Sequence, residues 1–289
     1  MFKGTSTAII TPFTKDNEVD EDALRRLVDF QEENGVDAVV PCGSTGESAM
    51  MSHEEHVRVI GIVVDQARRA KVLAGAGSNS TSEAVMLSKR AEDLGADGIL
   101  SISPYYVKPT QEGIYLHYKS IAESVDVPVV VYNIPGRTGS NVTAETMLRM
   151  AEIPGICAVK EASGDVRQIT QILGGRPKGF EVISGDDALT LRLMRLGADG
   201  VISVASNCCP GHMVDLVRAA SEGRFEDAEK TQRELSPLFE SLFVETNPIP
   251  VKYVMGRKGY GNGRPRLPLT PLSEEGRKKM DPVLADLGL

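Results

Sequence analysis

The chain has 289 residues, 41% of them hydrophobic, enough for one large domain or two small ones with a full apolar core. A formal charge of −8 opposes binding to nucleic acid or to an anionic membrane surface. No stretch of roughly 18 apolar residues occurs, so no membrane-spanning helix is expected, and the first residues lack the apolar segment of a signal peptide.

Eight short apolar runs follow one another along the chain, at residues 6–10, 38–41, 72–76, 98–102, 129–132, 157–160, 181–184 and 200–204. Amphipathic stretches that read as helices lie between them, for example at 21–33, 54–69, 82–94, 112–124 and 188–196. The spacing of roughly 25–35 residues is that of strand-crossover-strand units. One phrase marks the joints: Asn34-Gly35-Val36-Asp37, Leu94-Gly95-Ala96-Asp97 and Leu196-Gly197-Ala198-Asp199 each close a helical pattern and open an apolar run. The glycine suits a left-handed helix terminus, and the run after it a strand buried on both faces. Eight units in one chain predict an α/β fold, a (β/α)8 TIM barrel, over residues 1–209. No G-x-G-x-x-G follows the first run, which counts against a dinucleotide fold. Residues 210–289 read as a C-terminal helical domain or extension, with helices at 214–221, 225–243, 250–257 and 273–287 and a proline-rich connector at 264–269. The cysteines are Cys42, Cys157, Cys208 and Cys209, with no C-x-x-C spacing. Neither a disulfide framework nor a zinc site is expected, and the reading is a reduced, cytoplasmic protein.

Active sites of such barrels form at the C-terminal ends of the strands. The sixth run ends in Lys160, an ammonium closing an apolar strand. An ion pair with Glu161 is the plain explanation, but neighbouring strand residues point to opposite faces. The chemical explanation is an amine whose pKa burial lowers, so that it attacks a carbonyl and forms a Schiff base. Tyr132 ends the preceding strand and is either an interior aromatic or a proton shuttle. Arg137 follows on a glycine-proline loop, either solvated or clamping a carboxylate in bidentate fashion. The turn Gly43-Ser44-Thr45-Gly46-Glu47 offers backbone amides and two hydroxyls to an anion, and lacks the lysine of a P-loop. His53 and His56 share one helical face, but no third metal ligand is near in sequence, and polar residues in a first helical turn are the better reading.

Together "GSTGES", "SPYY", "YNIPGRTG", "AVKEASGD" and "SGDD" resemble the dihydrodipicolinate synthase family, also called 4-hydroxy-tetrahydrodipicolinate synthase, within the pyruvate-dependent class I aldolases. The resemblance runs from residues 2–4 to residues 267–272. It implies a lyase of lysine and diaminopimelate biosynthesis that condenses pyruvate with L-aspartate 4-semialdehyde and needs no metal or organic cofactor. By that resemblance Lys160 forms the imine and Tyr132 moves the proton. Ser44 and a partner subunit's copy of Tyr106 would complete the proton relay. Thr45 would bind the pyruvate carboxylate, Arg137 the semialdehyde carboxylate, and Gly185 and Ile202 would line the pocket. Ser44 stands where the family usually carries threonine. "GSTGE" and "YNIP" also occur in N-acetylneuraminate lyases, so that lyase or a 2-keto-3-deoxy sugar acid aldolase is the alternative; Arg137 favours the synthase. A non-catalytic binding protein on the same barrel is the further alternative. The family is usually a tetramer, a dimer of tight dimers, and some members bind lysine as an effector at the dimer interface. The matching positions here are Ser48, Ala49, His53, His56, Asn79, Glu83 and Tyr105.

Overall fold

The computed structural model describes residues 1–289. Eight parallel strands close a barrel in chain order: β1 (Gly4–Thr7), β2 (Ala38–Val39), β3 (Lys71–Gly75), β4 (Gly98–Ile102), β5 (Val129–Asn133), β6 (Ile156–Glu161), β7 (Glu181–Ser184) and β8 (Gly200–Ser203). The helices are α1 (Glu21–Glu33), α2 (His53–Gln66), α3 (Thr81–Asp93), α4 (Gln111–Ala122), the single turn α5 (Pro135–Thr138), α6 (Ala144–Met150), α7 (Val166–Gly175), α8 (Thr190–Arg195), α9 (Pro210–Ser221), α10 (Phe225–Ser241), α11 (Ile249–Arg257) and α12 (Glu274–Leu287). Their starts are chemically fixed. Asp20, Ser52, Thr110, Thr143, Asp165 and Ser273 each accept a hydrogen bond from a backbone N–H of the first turn.

The repeated joint phrase has a double role. Gly35, Gly95 and Gly197 have φ of 81°, 93° and 104°, a region that costs a side-chain-bearing residue but not glycine. The aspartate two residues on then ties down the neighbouring strand. Asp37 accepts from Thr5 N, Asp97 from Val72 N and Asp199 from Val182 N, at 2.8, 2.8 and 3.0 Å. Each otherwise orphaned N–H at a strand start is satisfied by the next unit.

The barrel separates two apolar layers. Inside, Phe2, Ala8, Ala38, Val40, Leu73, Leu100, Val130, Tyr132, Ala158, Ile183 and Ile202 fill the lumen. Outside, a larger cluster packs strands against helices and continues without a break into α9–α12. The first strand lies earlier than the apolar run at 6–10. Thr5, Ser6 and Thr7 are polar in sequence yet buried, because Thr7 donates to Gln31 of α1 and Thr5 to the Met213 carbonyl of α9. The second strand is only Ala38–Val39, although backbone bonds to its neighbours continue through Val40 and Pro41 until the chain turns at Cys42, where φ is 56°.

Candidate active site

β5 and β6 pair in a register that sets Tyr132 directly beside Lys160. Both side chains reach the C-terminal end of the lumen, and Lys160 Nζ lies 4.3 Å from the centre of the Tyr132 ring. Glu161 turns outward as the strand alternation requires. It accepts from Asn133 Nδ2 at 3.2 Å and Ser163 N at 2.8 Å, and makes no ion pair with Lys160. Lys160 is buried and none of the protein's acceptors bonds its ammonium. Burial lowers its pKa from 10.5 to about 8; Asp187 opposes that fall and the Arg137 cation adds to it. At pH 7 about one molecule in ten therefore carries a free amine, roughly three hundredfold more than an ordinary lysine would.

Tyr132 is buried as well. Desolvation pushes its phenol up to about 12, against the pull of Arg137 and of the nearby Ser44 hydroxyl. Gly185, at the end of β7, keeps room for the lysine: a Cβ there would lie 3.1 Å from Lys160 Cε. Ile202 closes the lumen from β8. Asp187 is buried behind them. Its Oδ2 accepts from Val204 N and Ala205 N at 3.0 and 2.9 Å, while its Oδ1 has no partner.

The loop after β2 carries Ser44 and Thr45. Gly46 permits its tightness, since a Cβ would lie 2.9 Å from Cys42 N. Glu47 ends the loop at φ 60°, and Tyr106 and Lys108 at the same end of the barrel have φ of 71° and 47°. Left-handed backbone at non-glycine residues costs of order 1–3 kcal/mol each and concentrates at functional sites. Thr45 is buried, and its Oγ1 accepts from Asn247 Nδ2 at 2.9 Å. Arg137, on α5, donates to the Asn247 carbonyl at 2.9 Å. Asn247, just before α11, was not among the residues the sequence picked out, and it touches two that were. No motif marks it; only its contacts do.

Tyr106 behaves differently from the rest of the expected catalytic set. It is 86% exposed, and its backbone N–H is held by the Thr138 carbonyl. Its side chain lies in solvent, outside the packed lumen of its own chain.

A cavity of about 390 Å³ adjoins the site above α2 and α3. Ser44 and Arg137 reach it from the catalytic side, and Ser48, Ala49, His53, His56, Glu83 and Tyr105 line the other. Asn79 is next to it, its amide oxygen 3.5 Å from Ser78 Oγ. His53 Nε2 lies 2.5 Å from Glu83 Oε1, and Ser78 donates to the other Glu83 oxygen. The Ser78 bond, with His53, holds the Glu83 carboxyl below its usual range despite partial burial. His56 donates from Nε2 to the Gly75 carbonyl at 2.6 Å, and burial lowers its pKa. Both histidines thus have non-metal partners.

A buried lysine with a lowered pKa and a tyrosine side by side at the C-terminal rim of an eightfold barrel form an arrangement that can add an amine to a carbonyl beside a proton donor. The sequence profile of the Dihydrodipicolinate synthetase family matches residues 1–287, and the chain belongs to that family. A 4-hydroxy-tetrahydrodipicolinate synthase of Chloroherpeton thalassium is 52% identical over 288 residues, covering 99% of this chain and 95% of its own. Among solved structures, a chloride-inhibited dihydrodipicolinate synthase from Acinetobacter baumannii complexed with pyruvate superimposes with a TM-score of 0.97 at 43% identity, over 100% of this chain and 99% of that one. The synthase of Cyanidioschyzon merolae with lysine bound gives 0.97 at 40% identity, over 100% and 99%. These relatives are synthases, not neuraminate lyases or sugar acid aldolases.

Proposed function

We propose that the chain condenses pyruvate with L-aspartate 4-semialdehyde through an imine on Lys160. The observation that carries the reading is the buried ammonium without a protein acceptor, poised near pH 8 beside Tyr132. The free amine adds to the pyruvate keto carbon, and loss of water leaves the imine. The protonated imine nitrogen is the electron sink that lets a methyl proton leave, so no metal or organic cofactor is required. The resulting enamine carbon attacks the semialdehyde. Tyr132, with a phenol kept neutral by burial, exchanges the protons. Thr45 and the loop amides hold the pyruvate carboxylate, Arg137 holds that of the semialdehyde, and Gly185 and Ile202 shape the pocket. The pyruvate complex of the Acinetobacter enzyme supports the donor substrate. Reduction with borohydride in the presence of pyruvate should add the reduced pyruvyl group to Lys160, seen by peptide mass spectrometry. An unmodified Lys160 would defeat the mechanism. Turnover with aspartate semialdehyde and none with N-acetylmannosamine then fixes the acceptor.

The outward Tyr106 supports a proposal about assembly. Ser44, Tyr132 and a second copy's Tyr106 would form the proton relay, making a dimer the smallest competent unit, with the tetramer the form the family resemblance implies. Mixing the inactive variants Tyr106→Phe and Lys160→Ala should restore activity, because a mixed dimer rebuilds one intact site. No recovery in mixtures shown to exchange subunits would count against it. The four free thiols fit a reducing compartment, and the proposal places the enzyme in the cytoplasm.

A second reading concerns the adjoining cavity. Glu83 suits an ammonium and Tyr105 with Asn79 a carboxylate, which supports free lysine as an effector. The lysine complex of the Cyanidioschyzon synthase supports it further. Unchanged activity at millimolar lysine would remove this reading.

A further inference from the structure

The second fully buried lysine of the molecule takes no part in the chemistry above. Lys252 sits on α11, and its ammonium pairs with Glu47, the last residue of the loop that presents Ser44 and Thr45. Both side chains are sealed from solvent, at 1% and 0% exposure. Lys252 Nζ also donates to the Thr11 carbonyl at 3.0 Å and lies 3.8 Å from the centre of the Phe13 ring. The other Glu47 oxygen accepts from Arg266 N at 2.8 Å. Thr11, in turn, donates from Oγ1 to the Gly46 carbonyl at 2.7 Å. Every polar atom of the pair is thereby used.

The attachment points matter. Asn247, at the foot of α11, bonds Thr45 Oγ1, and Lys252, on the next turn and a half, bonds Glu47. One helix of the C-terminal segment thus grips the loop on both sides of Gly46. The second grip falls on Glu47 itself, whose backbone is in the left-handed conformation at φ 60°, a costly one for a residue with a side chain. Solvent cannot substitute for the pair, because neither group reaches it.

We propose that Glu47 and Lys252 are positioning residues for the carboxylate-binding loop: the buried pair fixes the Thr45 hydroxyl and the loop amides where the carboxylate of a 2-oxo acid must lie. Neither residue touches substrate; both act through Thr45. This rests on the pyruvate-imine reading above and assigns α11 a part in donor recognition. A purely structural pair would behave otherwise. Replacing both partners by uncharged groups of similar shape removes the charges without stranding either, a change that buried pairs often tolerate. The two roles therefore separate in the variant Glu47→Gln/Lys252→Met.

The experiment measures the concentration dependence of borohydride trapping with pyruvate, together with the thermal midpoint, for the full-length wild type and this paired variant. Wild-type trapping at Lys160 tests the underlying reading independently; its failure would remove that reading and this one with it. Given wild-type trapping, the expected result is a folded variant whose half-saturating pyruvate concentration rises roughly ten- to hundredfold, as a loss of order 1 Å in alignment produces. Its trapping rate at saturation should stay within about twofold, because the Lys160 surroundings are untouched. An unchanged half-saturating concentration overturns the proposal. So does a fall in the saturated rate in proportion, which would mark general loosening. If the paired variant does not fold, Lys252→Arg carries the same two readouts. It keeps the cation but moves it, and unaltered pyruvate saturation in that variant likewise overturns the proposal.

Discussion

Two lysines are buried in this barrel, and their surroundings are nearly the same in kind. Lys160 faces the Tyr132 ring, a carboxylate at Asp187 that raises its pKa and an arginine at Arg137 that lowers it. Lys252 faces the Phe13 ring, a carboxylate at Glu47 that raises its pKa and an arginine at Arg266 that lowers it. In each, desolvation is the largest cause, and each falls from 10.5 to about 8. The pKa alone does not tell them apart. The difference is contact. Lys252 has a carboxylate oxygen and a carbonyl within hydrogen-bond reach, whereas the carboxylate near Lys160 spends one oxygen on Val204 N and Ala205 N and offers it no direct bond. At Lys160 the counter-charge is held one step away, which leaves the amine without a bonded partner.

The comparison breaks most visibly in activity. Lys160→Met should lower kcat by at least about 10⁴-fold, since no other amine occupies the rim of the lumen. Steady-state rates at saturating substrates check this; residual activity above that level would mean the lysine is not the nucleophile. Lys252→Met removes no reacting group, so its largest effect falls on stability. It leaves the Glu47 carboxylate buried and unpaired and should cost about 3–5 kcal/mol in urea unfolding. A loss below about 1 kcal/mol would mean that the pair is more hydrated than its exposure implies.

Lys160→Met should do the opposite and stabilise the fold by roughly 1–3 kcal/mol near neutral pH. The wild-type ammonium is desolvated without a bonded partner, and methionine fills the same volume without that penalty. The pH dependence follows from the two pKa values. Between about 8, folded, and 10.5, unfolded, the unfolded chain binds more protons, so wild-type stability from this group rises with pH across that window. Below pH 8 the penalty is fully present. The advantage of the variant should therefore be greatest at pH 7 and shrink toward pH 10, measured by chemical unfolding at both. An advantage that grows with pH would reverse the assignment.

The barrel and the pairing of Lys160 with Tyr132 at its rim were legible because their signals are local. The repeated helix-to-strand joint identifies itself by a glycine and an aspartate, and the structure gives both a bonded role. Lys160 and Tyr132 each end an apolar run, and consecutive parallel strands bring such ends together. Gly185 and Ile202 come to the same rim from β7 and β8. What the sequence concealed is the support. Asn247, Lys252 and Arg266 lie more than a hundred residues from the loop they hold, in a segment with no motif. One cue existed: Lys252 is three residues from both Ile249 and Met255, a charge on the apolar face of α11. Tyr106 was legible as a motif but not as a place, because its side chain is exposed and packs against nothing in its own chain's lumen. Contacts between distant segments are set by tertiary packing, which local periodicity does not encode.

The smallest expected effect tests the distance at which Asp187 acts. Asp187→Asn keeps an oxygen to accept from Val204 N and Ala205 N and removes only the charge. If the carboxylate is ionised beside Lys160, its loss should lower the lysine pKa. The amine is reactive when neutral, so trapping at saturating pyruvate rises with pH through about 8, and in the variant that limb should move down by less than about one pH unit. Burial also pushes the Asp187 pKa up, while the Ser203 hydroxyl and the two amides pull it back. An unmoved limb would therefore mean that Asp187 is protonated at working pH, and that burial with Arg137 alone sets the amine. A limb displaced downward would mean that the anion, two strands away from Tyr132, restrains Lys160 without bonding it. The same substitution logic fails at Lys252, where the carboxylate cannot be neutralised without breaking a direct contact. That asymmetry separates a counter-charge that tunes an amine from one that occupies it.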